Sequence, residues 1–311
     1  MSSRLHQTQT VTAEHSGMRV DRFVSDVMGL FPRSQLAHRN VRIHVNGLDA
    51  KPSRRVTAGD IVGIEYEEAA PPNIVPEPLD ISVIFEDDDV VVIDKPVGMV
   101  VHPAAGNWSG TLAQGLMHRL NGGAEELGGE PTRPGIVHRL DKDTSGVLIA
   151  AKHPSALEYL GTQFRKRRVL KLYLAIVKGH LPKQRDTLKT MIGRDPNNRK
   201  RFAVSKERGK AAVTSYRVLK TYGGYSFVAL TPSTGRTHQL RVHMHYLNCP
   251  ILGDPVYSRR DPRFPDAELM LHAYRLAIAI PADERQRVFT ARLPERFREL
   301  LRALAADQSA S

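Results

Sequence analysis

Four prolines between Pro71 and Pro78 divide this chain of 311 residues into two parts. Proline fixes the backbone angle φ and lacks an N–H donor, so this stretch forms neither a helix interior nor a central strand. We therefore expect an extended, semi-rigid linker. The predicted segments are a flexible tail at 1–16, a small domain at 17–68, the linker at 69–80, a large domain at 81–305 and a second tail at 306–311.

The balance of charged residues is strongly basic. The formal net charge is +12, and a protein this basic generally binds a polyanion, of which nucleic acid is the first expectation. A single cysteine excludes a disulfide framework and a cysteine-based zinc site. The polar N-terminal stretch has no apolar signal core, and no run approaches the roughly 20 apolar residues of a membrane helix, so we expect a cytoplasmic protein.

The N-terminal part has the pattern of two helices followed by a hairpin. Apolar side chains recur at helical spacing, and a serine that can cap a second helix follows a proline. An Asn46-Gly47 turn then joins two short strands. The residues that carry this pattern are Val20, Phe23, Val24, Val27, Ser34, Ile43 and Val45, with a further strand at 61–66.

This order of helix, helix and basic hairpin resembles the small RNA-binding domain named for ribosomal protein S-four. Between Arg33 and Arg55 lie six lysines and arginines against one acid, Asp49. A positive face of this kind binds phosphates without reading bases, although a charge run is also the ordinary composition of a solvated face. The arginines that we predict to contact RNA here are Arg33, Arg39, Arg42, Arg54 and Arg55.

A dense polar cluster occupies the middle of residues 133–152. The apolar run at 147–151 predicts a buried strand after it, and Pro134-Gly135 predicts a turn before it. Loops held between rigid neighbours are where reacting groups tend to lie. The polar side chains of the cluster are His138, Arg139, Asp141, Lys142, Asp143, Thr144 and Ser145.

The order HRLDxxTSG in this cluster resembles the signature of the RluA/RluD-type pseudouridine synthases, which isomerise uridine in RNA. On that resemblance the catalytic residue is Asp141, and Arg139 helps to displace the target base. Three further stretches resemble blocks of the same family, namely KPVGMVVHP at 95–103, KLYLA at 171–175 and TGRTHQLRVH at 234–243.

These blocks imply roles for two more residues. Tyr173 would lie against the target base and transfer a proton, and Arg241 would form an ion pair with Asp141. The resemblance covers residues 16–305. It implies an α+β fold, in which a mixed and largely antiparallel catalytic sheet with flanking helices follows a small N-terminal α/β RNA-binding domain. The stretch CPILGDPVY at 249–257 also matches the family, and we interpret it as structural support.

Two other clusters could suggest a metal ion. Asp87-Asp88-Asp89 lies between two apolar strands, and we interpret it as a hairpin turn. The histidines at 238–245 lack the HExxH spacing and have no acid among them, and we expect Thr237 to cap a helix there. His102 is interpreted as a loop-packing histidine. Since no dinucleotide fingerprint or phosphate loop is present either, we expect neither a metal nor a cofactor.

The most basic segment runs from Arg165 to Lys210. It has 16 lysines and arginines against three acids, a net charge of +13. Such a concentration predicts a surface that faces phosphates and binds RNA in a salt-sensitive way. We expect Arg199, Lys200 and Arg201 to contribute most directly.

The chemistry of uridine isomerisation fits these residues. The base–sugar bond is cleaved, the uracil turns, and the bond is made again through carbon, which calls for an ionised carboxylate beside a cation. We predict a monomeric large-subunit rRNA pseudouridine synthase that binds no membrane. The alternatives are a synthase acting on tRNA and a non-catalytic RNA-binding or ribosome-assembly protein. Whether Asp141 attacks the sugar, attacks the base or assists elimination stays open.

Overall fold

The computed structural model describes residues 4–30, 41–67, 74–103, 107–120, 124–128, 133–196, 198, 201–205 and 208–310. The chain forms two compact units, Met1–Asn73 and Ile74–Ser311. The boundary lies inside the predicted linker. Several predicted features lie outside the described residues, namely the helix cap at Ser34 and the side chains of Arg33, Arg39, Arg199 and Lys200.

The first unit contains a four-stranded antiparallel sheet in its described part, with strand order β1–β4–β2–β3. The predicted helical face is present, because the helix α1 (Val20–Arg22) continues into a π-helical turn at Phe23–Val27. The Asn46-Gly47 turn joins two strands, as predicted, and both of its residues have positive φ. The strands are β1 (Arg4–Thr10), β2 (Arg42–Val45), β3 (Leu48–Asp49) and β4 (Ile61–Glu67).

The prediction of a flexible tail at 1–16 is wrong for its central part. Strand β1 pairs with β4 along its whole length, from Arg4 opposite Glu67 to Thr10 opposite Ile61. The side chains from His6 to Thr10 are all exposed. The backbone therefore holds this strand in the sheet, and no alternation of apolar residues signals it in the sequence.

The second unit is built on a mixed sheet that has ten strands in the described part of the chain. The strand order is β10–β9–β11–β12–β8–β13–β7–β6–β5, and β14 pairs with β13. The strands are β5 (Val83–Glu86), β6 (Val90–Lys95), β7 (Ser145–Ala151), β8 (Leu170–Lys178), β9 (Arg185–Arg194), β10 (Phe202–Ser205), β11 (Lys210–Tyr222), β12 (Tyr225–Pro232), β13 (Leu271–Ile280) and β14 (Asp283–Thr290).

The pairing within this sheet confirms the predicted fold class. Among the described strand pairs, only β13 with β7 is parallel. The parallel contact is short, with His272 opposite Ser145 and Ala273 opposite Gly146. Farther along, from Arg275 onward, β13 pairs with β14 instead. Strand β13 therefore changes its partner from β7 to β14 beside the start of β7. The loop that carries Asp141 leads into β7 at this point.

The described helices of the second unit flank the sheet, and none is long and apolar enough to cross a bilayer. The first of them begins after Thr111, which forms a capping box with Gln114. The last runs to Ala310, so the predicted tail at 306–311 is largely helical. The helices are α2 (Leu112–Arg119), α3 (Ala124–Leu127), α4 (Pro154–Arg165), α5 (Gln239–Tyr246) and α6 (Glu295–Ala310).

The second half of the predicted linker belongs to the second unit. Ile74 is buried and packs with Met117 and Leu127. The carboxylate of Glu77 accepts the backbone N–H of Gly110 at 2.8 Å and the side-chain amide of Gln114 at 2.6 Å. Because these contacts bury apolar surface and satisfy polar groups, residues 74–80 are part of this unit and not a spacer.

Candidate active site

The polar loop at 137–144 lies between a partly buried anchor and a fully buried strand. All seven residues of β7 are buried after it, and an isolated bridge pairs Ile136 with Ala150 before it. The carbonyl of Asp141 accepts the N–H of Thr144 at 3.1 Å, which closes a turn. Gly146 has a φ of +114°, and a Cβ there would lie 2.2 Å from the carbonyl oxygen of Ala273. Glycine is therefore required where the loop passes into the sheet.

The side chain of Lys95 forms hydrogen bonds that hold this loop, a role that the sequence analysis did not assign to it. Its ammonium is fully buried and donates to the carbonyls of Pro96, Met99 and Lys142, at 2.8, 2.8 and 2.9 Å. Burial lowers the pKa of Lys95 to about 8, and the charges of Asp143 and Asp141 oppose that shift. The available signal was a lysine that ends an apolar strand and precedes a Pro-x-Gly turn, where nearby backbone carbonyls can accept from its ammonium.

The predicted ion pair between Asp141 and Arg241 is present. Arg241 Nη1 lies 3.1 Å from Asp141 Oδ2, and the Arg241 side chain is only 5% exposed. The other side of the guanidinium makes a bidentate pair with Asp254, with Nε to Oδ2 at 2.7 Å and Nη2 to Oδ1 at 2.8 Å. Two carboxylates therefore share one buried cation, and the position of the Asp141 carboxylate is fixed by it.

Asp254 is the second residue that the sequence did not assign to the site. Its carboxylate also accepts the backbone N–H groups of Val256 at 2.8 Å and Tyr257 at 3.0 Å. Burial alone would raise the pKa of Asp254, but the hydrogen bonds and charge of Arg241, with the two N–H groups, lower it overall. The stretch 249–257, which was interpreted as structural support, thus contributes Asp254, and Asp254 binds Arg241. Arg241 in turn binds Asp141.

A cleft of about 480 Å³ opens over Asp141. Its walls come from the polar loop, the end of α4, strand β8 and the segment at 232–241. Asp141 is the one acid among the described residues that line it, and its side chain is 23% exposed. The positive side chains along the walls are Arg139, Arg165, Arg167, Lys171, Arg236 and Arg241. Such a cleft attracts a phosphate backbone and presents one carboxylate to it.

Tyr173 lines the same cleft as Asp141, and its contact with a target base stays a prediction. It lies in the middle of β8, between Leu230 of β12 and Ala273 of β13. Burial raises the pKa of the Tyr173 hydroxyl, and the charge of Asp141 raises it further. The hydroxyl is therefore protonated at neutral pH.

Arg139 is exposed, and its guanidinium reaches back to the loop of the KPVGMVVHP block. Its Nη1 lies 3.3 Å from Nε2 of His102, a ring that is 6% exposed. Burial lowers the pKa of His102 to about 4, and the charges of Arg139 and Arg133 lower it in the same direction. The neutral ring can accept from the guanidinium, which fits its interpretation as a packing residue of this loop.

The helix that the sequence predicts to be capped by Thr237 begins at a later residue. Helix α5 starts at Gln239, and the N-cap is His238, whose φ is +55°. Gln239 explains the shift. Its side chain accepts from Thr234 Oγ1 and Arg236 N and donates to the carbonyl of Val213, at 2.6, 3.1 and 3.0 Å. This residue folds the 234–238 loop onto strand β11, so the helix cannot begin earlier.

The other predicted RNA contacts lie on the surface where they are described. Arg42, Arg54 and Arg55 are exposed in the first unit, and Arg55 donates to the carbonyl of Gly17 at 2.6 Å. Arg201 lies close to the site, with its guanidinium 5.2 Å from the ring centroid of Tyr257. No distance in the structure tests their contact with RNA, and these roles stay predictions.

The aspartates at 87–89 form the turn that the sequence predicts. Oδ1 of Asp87 accepts the backbone N–H groups of Asp89 at 3.0 Å and Val90 at 2.8 Å. Asp89 in turn contacts Nε2 of His153 at 2.9 Å. The carboxylate of Asp87 closes the β5–β6 hairpin. The carboxylate of Asp89 contacts His153, which is the N-cap of the neighbouring helix α4.

Comparison with known proteins identifies the family. Residues 89–246, about half of the chain, match the model described as RNA pseudouridylate synthase. The ribosomal large subunit pseudouridine synthase D of Borreliella burgdorferi is 44% identical over 92% of this chain and 89% of its own. The protein of the same name in Pseudomonas aeruginosa is 35% identical over 100% and 99%.

A solved structure agrees with these sequence matches. The human RNA pseudouridylate synthase domain containing 4 has a TM-score of 0.55 and 27% identity, and the match covers 72% of this chain and 93% of that one. The fold, the ion-paired Asp141 and the sequence relatives agree, and the predicted enzyme class is confirmed. The chain belongs to the RNA pseudouridylate synthase family and is an RNA pseudouridine synthase.

Proposed function

We propose that this enzyme isomerises specific uridines of large-subunit rRNA, in the cytoplasm and as a monomer. The observation that carries the proposal is the carboxylate of Asp141, held by Arg241 in a cleft that six positive side chains line. The substrate follows from the relatives, because two proteins named ribosomal large subunit pseudouridine synthase D align with nearly the whole chain.

In this proposal Asp141 supplies the negative charge beside the base–sugar bond. Arg241 keeps the carboxylate ionised and oriented, and Asp254 prevents the guanidinium from turning away. Tyr173 packs against the uracil and takes part in proton transfer. Because burial and Asp141 keep its hydroxyl protonated, it enters the reaction as a neutral phenol.

Arg139 and the basic surfaces bring the RNA to this cleft. A base that is paired must leave its helix, at a cost of roughly a few kcal/mol. Arg139 is exposed and only two residues from Asp141, so it is the side chain proposed to fill the gap in the RNA. The first unit, proposed as an S-four-like domain, would bind phosphates through Arg42, Arg54 and Arg55, together with Arg33 and Arg39.

Mapping pseudouridines in total RNA tests the substrate. RNA from cells that lack this protein should lose modification at a few large-subunit rRNA uridines, and wild-type protein should restore it. Complementation with Asp141→Asn should not. If only tRNA positions change, the substrate is tRNA. An unchanged map would overturn the proposed function.

The basic segment at 165–210 predicts a steep salt dependence of RNA affinity. Replacing Arg199, Lys200 and Arg201 with alanine should flatten the plot of log affinity against log salt, by up to about 2 units for single-stranded contacts. A filter-binding or anisotropy series from low to moderate salt measures this slope.

A triple alanine variant of Arg285, Arg287 and Arg292 removes the same charge from exposed positions that do not line the cleft. Its slope should match that of the wild type. If the two triple variants change the slope equally, the effect is one of total charge, and Arg199-Lys200-Arg201 has no place in the interface.

The catalytic unit should fold by itself when it begins at residue 74. We expect the fragment 74–311 to isomerise a short RNA and to act less well on long rRNA, because it lacks the first unit. The fragment 80–311 should be less stable, because it lacks Ile74 and Glu77, which pack and bond within this unit. Thermal unfolding of both fragments checks this. An unfolded 74–311 fragment would show that the boundary is wrong.

A further inference from the structure

A chain of hydrogen bonds behind the cleft ends at His238. The backbone N–H of Phe202 donates to the hydroxyl of Tyr257 at 2.9 Å, and the same hydroxyl lies 3.0 Å from Nδ1 of His238. Tyr257 is 3% exposed, so its O–H needs an acceptor inside the protein. Among the described residues, Nδ1 of His238 is the acceptor it reaches. Nδ1 therefore accepts, and the ring proton of His238 lies on Nε2.

The protonated nitrogen faces Asp141. Nε2 of His238 lies 4.0 Å from Oδ2 of Asp141, and the two side chains are 19% and 23% exposed. This separation is too long for a direct hydrogen bond. Both residues line the cleft that is proposed to receive the substrate. An oxygen atom of the substrate can therefore accept from Nε2 while the carboxylate lies beside it.

The ring is held neutral at this position. Burial lowers the pKa of His238, and Arg241 and Arg139 lower it as well, against the opposing charges of Asp141 and Asp254. A neutral ring with a fixed tautomer is a hydrogen-bond donor to the cleft at neutral pH.

The backbone and two aromatic rings fix the direction of this donor. His238 has a φ of +55°, in the left-handed region that residues other than glycine seldom occupy. Phe202 and Tyr257 contact its ring edge-on, at centroid distances of 5.7 and 5.6 Å. A left-handed backbone conformation at a residue other than glycine costs free energy, so it persists only where the surrounding structure holds it in place. Such positions cluster at functional sites.

We propose that His238 is a substrate-binding residue of the isomerisation, whose Nε2–H donates to an oxygen of the target uridine, either a uracil carbonyl or the ribose 2′-hydroxyl. Tyr257 is the positioning residue that fixes its tautomer. This inference rests on the proposed function of the same cleft. It adds a donor opposite Asp141 that orients the nucleotide before and after the base turns.

Steady-state kinetics test the donor. His238→Ala should lower kcat/KM by about 10- to 100-fold, the range expected for losing one hydrogen bond to the substrate. His238→Gln should recover part of the loss, because its amide can donate from about the position of Nε2. Tyr257→Phe should lower kcat/KM less, and adding it to His238→Ala should cause little further loss, because the donor that Tyr257 positions is already absent.

His245→Ala is the matched control. His245 contacts the same Tyr257 ring, at a centroid distance of 5.8 Å, but it is exposed and does not line the cleft. Its kcat/KM should equal that of the wild type. An RNA with 2′-deoxyuridine at the target separates the two acceptors. If the penalty of His238→Ala disappears on this RNA, the ribose hydroxyl is the acceptor, and if it persists, a uracil carbonyl is.

Nitrogen-15 NMR of the folded wild-type protein reads the tautomer directly, independently of any activity. The His238 signals, assigned by their loss in His238→Gln, should show a proton on Nε2 and none on Nδ1 at pH 7. A proton on Nδ1, or a charged ring, would overturn the inference. So would a wild-type kcat/KM for His238→Ala when Asp141→Asn is inactive. An active Asp141→Asn would instead overturn the proposed mechanism of the whole site.

Discussion

Replacing Asp141 with asparagine is expected to abolish pseudouridine formation and to leave RNA binding nearly unchanged. Asparagine has almost the same shape, so the turn closed by the Asp141 carbonyl and Thr144 should survive. It carries no negative charge, so it can act neither as a nucleophile nor as a base. The loss should be on the order of 10³-fold or more, as for other enzymes that lose their reacting group. Single-turnover assays with a parallel binding isotherm measure both quantities.

Asp143→Asn is the control for this substitution. Asp143 lies in the same loop and contributes charge near the Lys95 ammonium, but it does not line the cleft. It should remain active. Equal turnover by wild type and Asp141→Asn would contradict the mechanism, and loss of activity in Asp143→Asn alone would move the catalytic carboxylate by two positions.

Replacing Arg241 with methionine is expected to cause the largest loss of stability, about 3–5 kcal/mol in the free energy of unfolding. Methionine fills much of the volume of the arginine stem but leaves the fully buried carboxylate of Asp254 without its cation. Activity should be lost as well, because Asp141 loses the side chain that orients it. Urea unfolding, with activity measured under folded conditions, checks both parts.

A second substitution separates stability from activity. In the double variant Arg241→Met with Asp254→Asn the buried charge is gone, and the amide oxygen can still accept from the backbone N–H groups of Val256 and Tyr257. Part of the stability should therefore return while activity stays absent. Arg302→Met is the exposed control. The Arg302 side chain, which pairs with Glu295, is 70% exposed. Loss of this ion pair should lower the free energy of unfolding by under about 1 kcal/mol. A wild-type unfolding midpoint for Arg241→Met would contradict the buried-pair account.

The sequence predicted most of the second unit because its strands bury apolar runs. Residues 147–151 are one such run, and the strand over them is completely buried. Strand β1 escaped prediction for the opposite reason. Its side chains from His6 to Thr10 are exposed, and only its backbone pairing places it in the sheet. A pattern of side chains cannot report a strand held by backbone bonds alone.

The candidate site was predicted where the family resemblance assigns a role to a residue, and missed where the role follows only from a contact in the fold. Asp141 and Arg241 came from two blocks that resemble the family, 100 residues apart. Asp254 lies in the stretch 249–257, which also resembles the family but was interpreted only as structural support. Only the fold shows that the Asp254 carboxylate accepts two hydrogen bonds from Arg241. The tautomer of His238 likewise depends on Tyr257, which the sequence does not connect to it.

The most direct test of the central claim follows the hydrogen on carbon-5 of uracil, which must leave when the glycosidic bond is made at that carbon. Purified protein is incubated with large-subunit rRNA, and separately with tRNA, in which the uridines carry tritium at carbon-5. We predict that tritium appears in water from the rRNA, in a yield that corresponds to a few uridines per molecule, and not from the tRNA. No release from the rRNA, or release from the tRNA alone, would contradict the account.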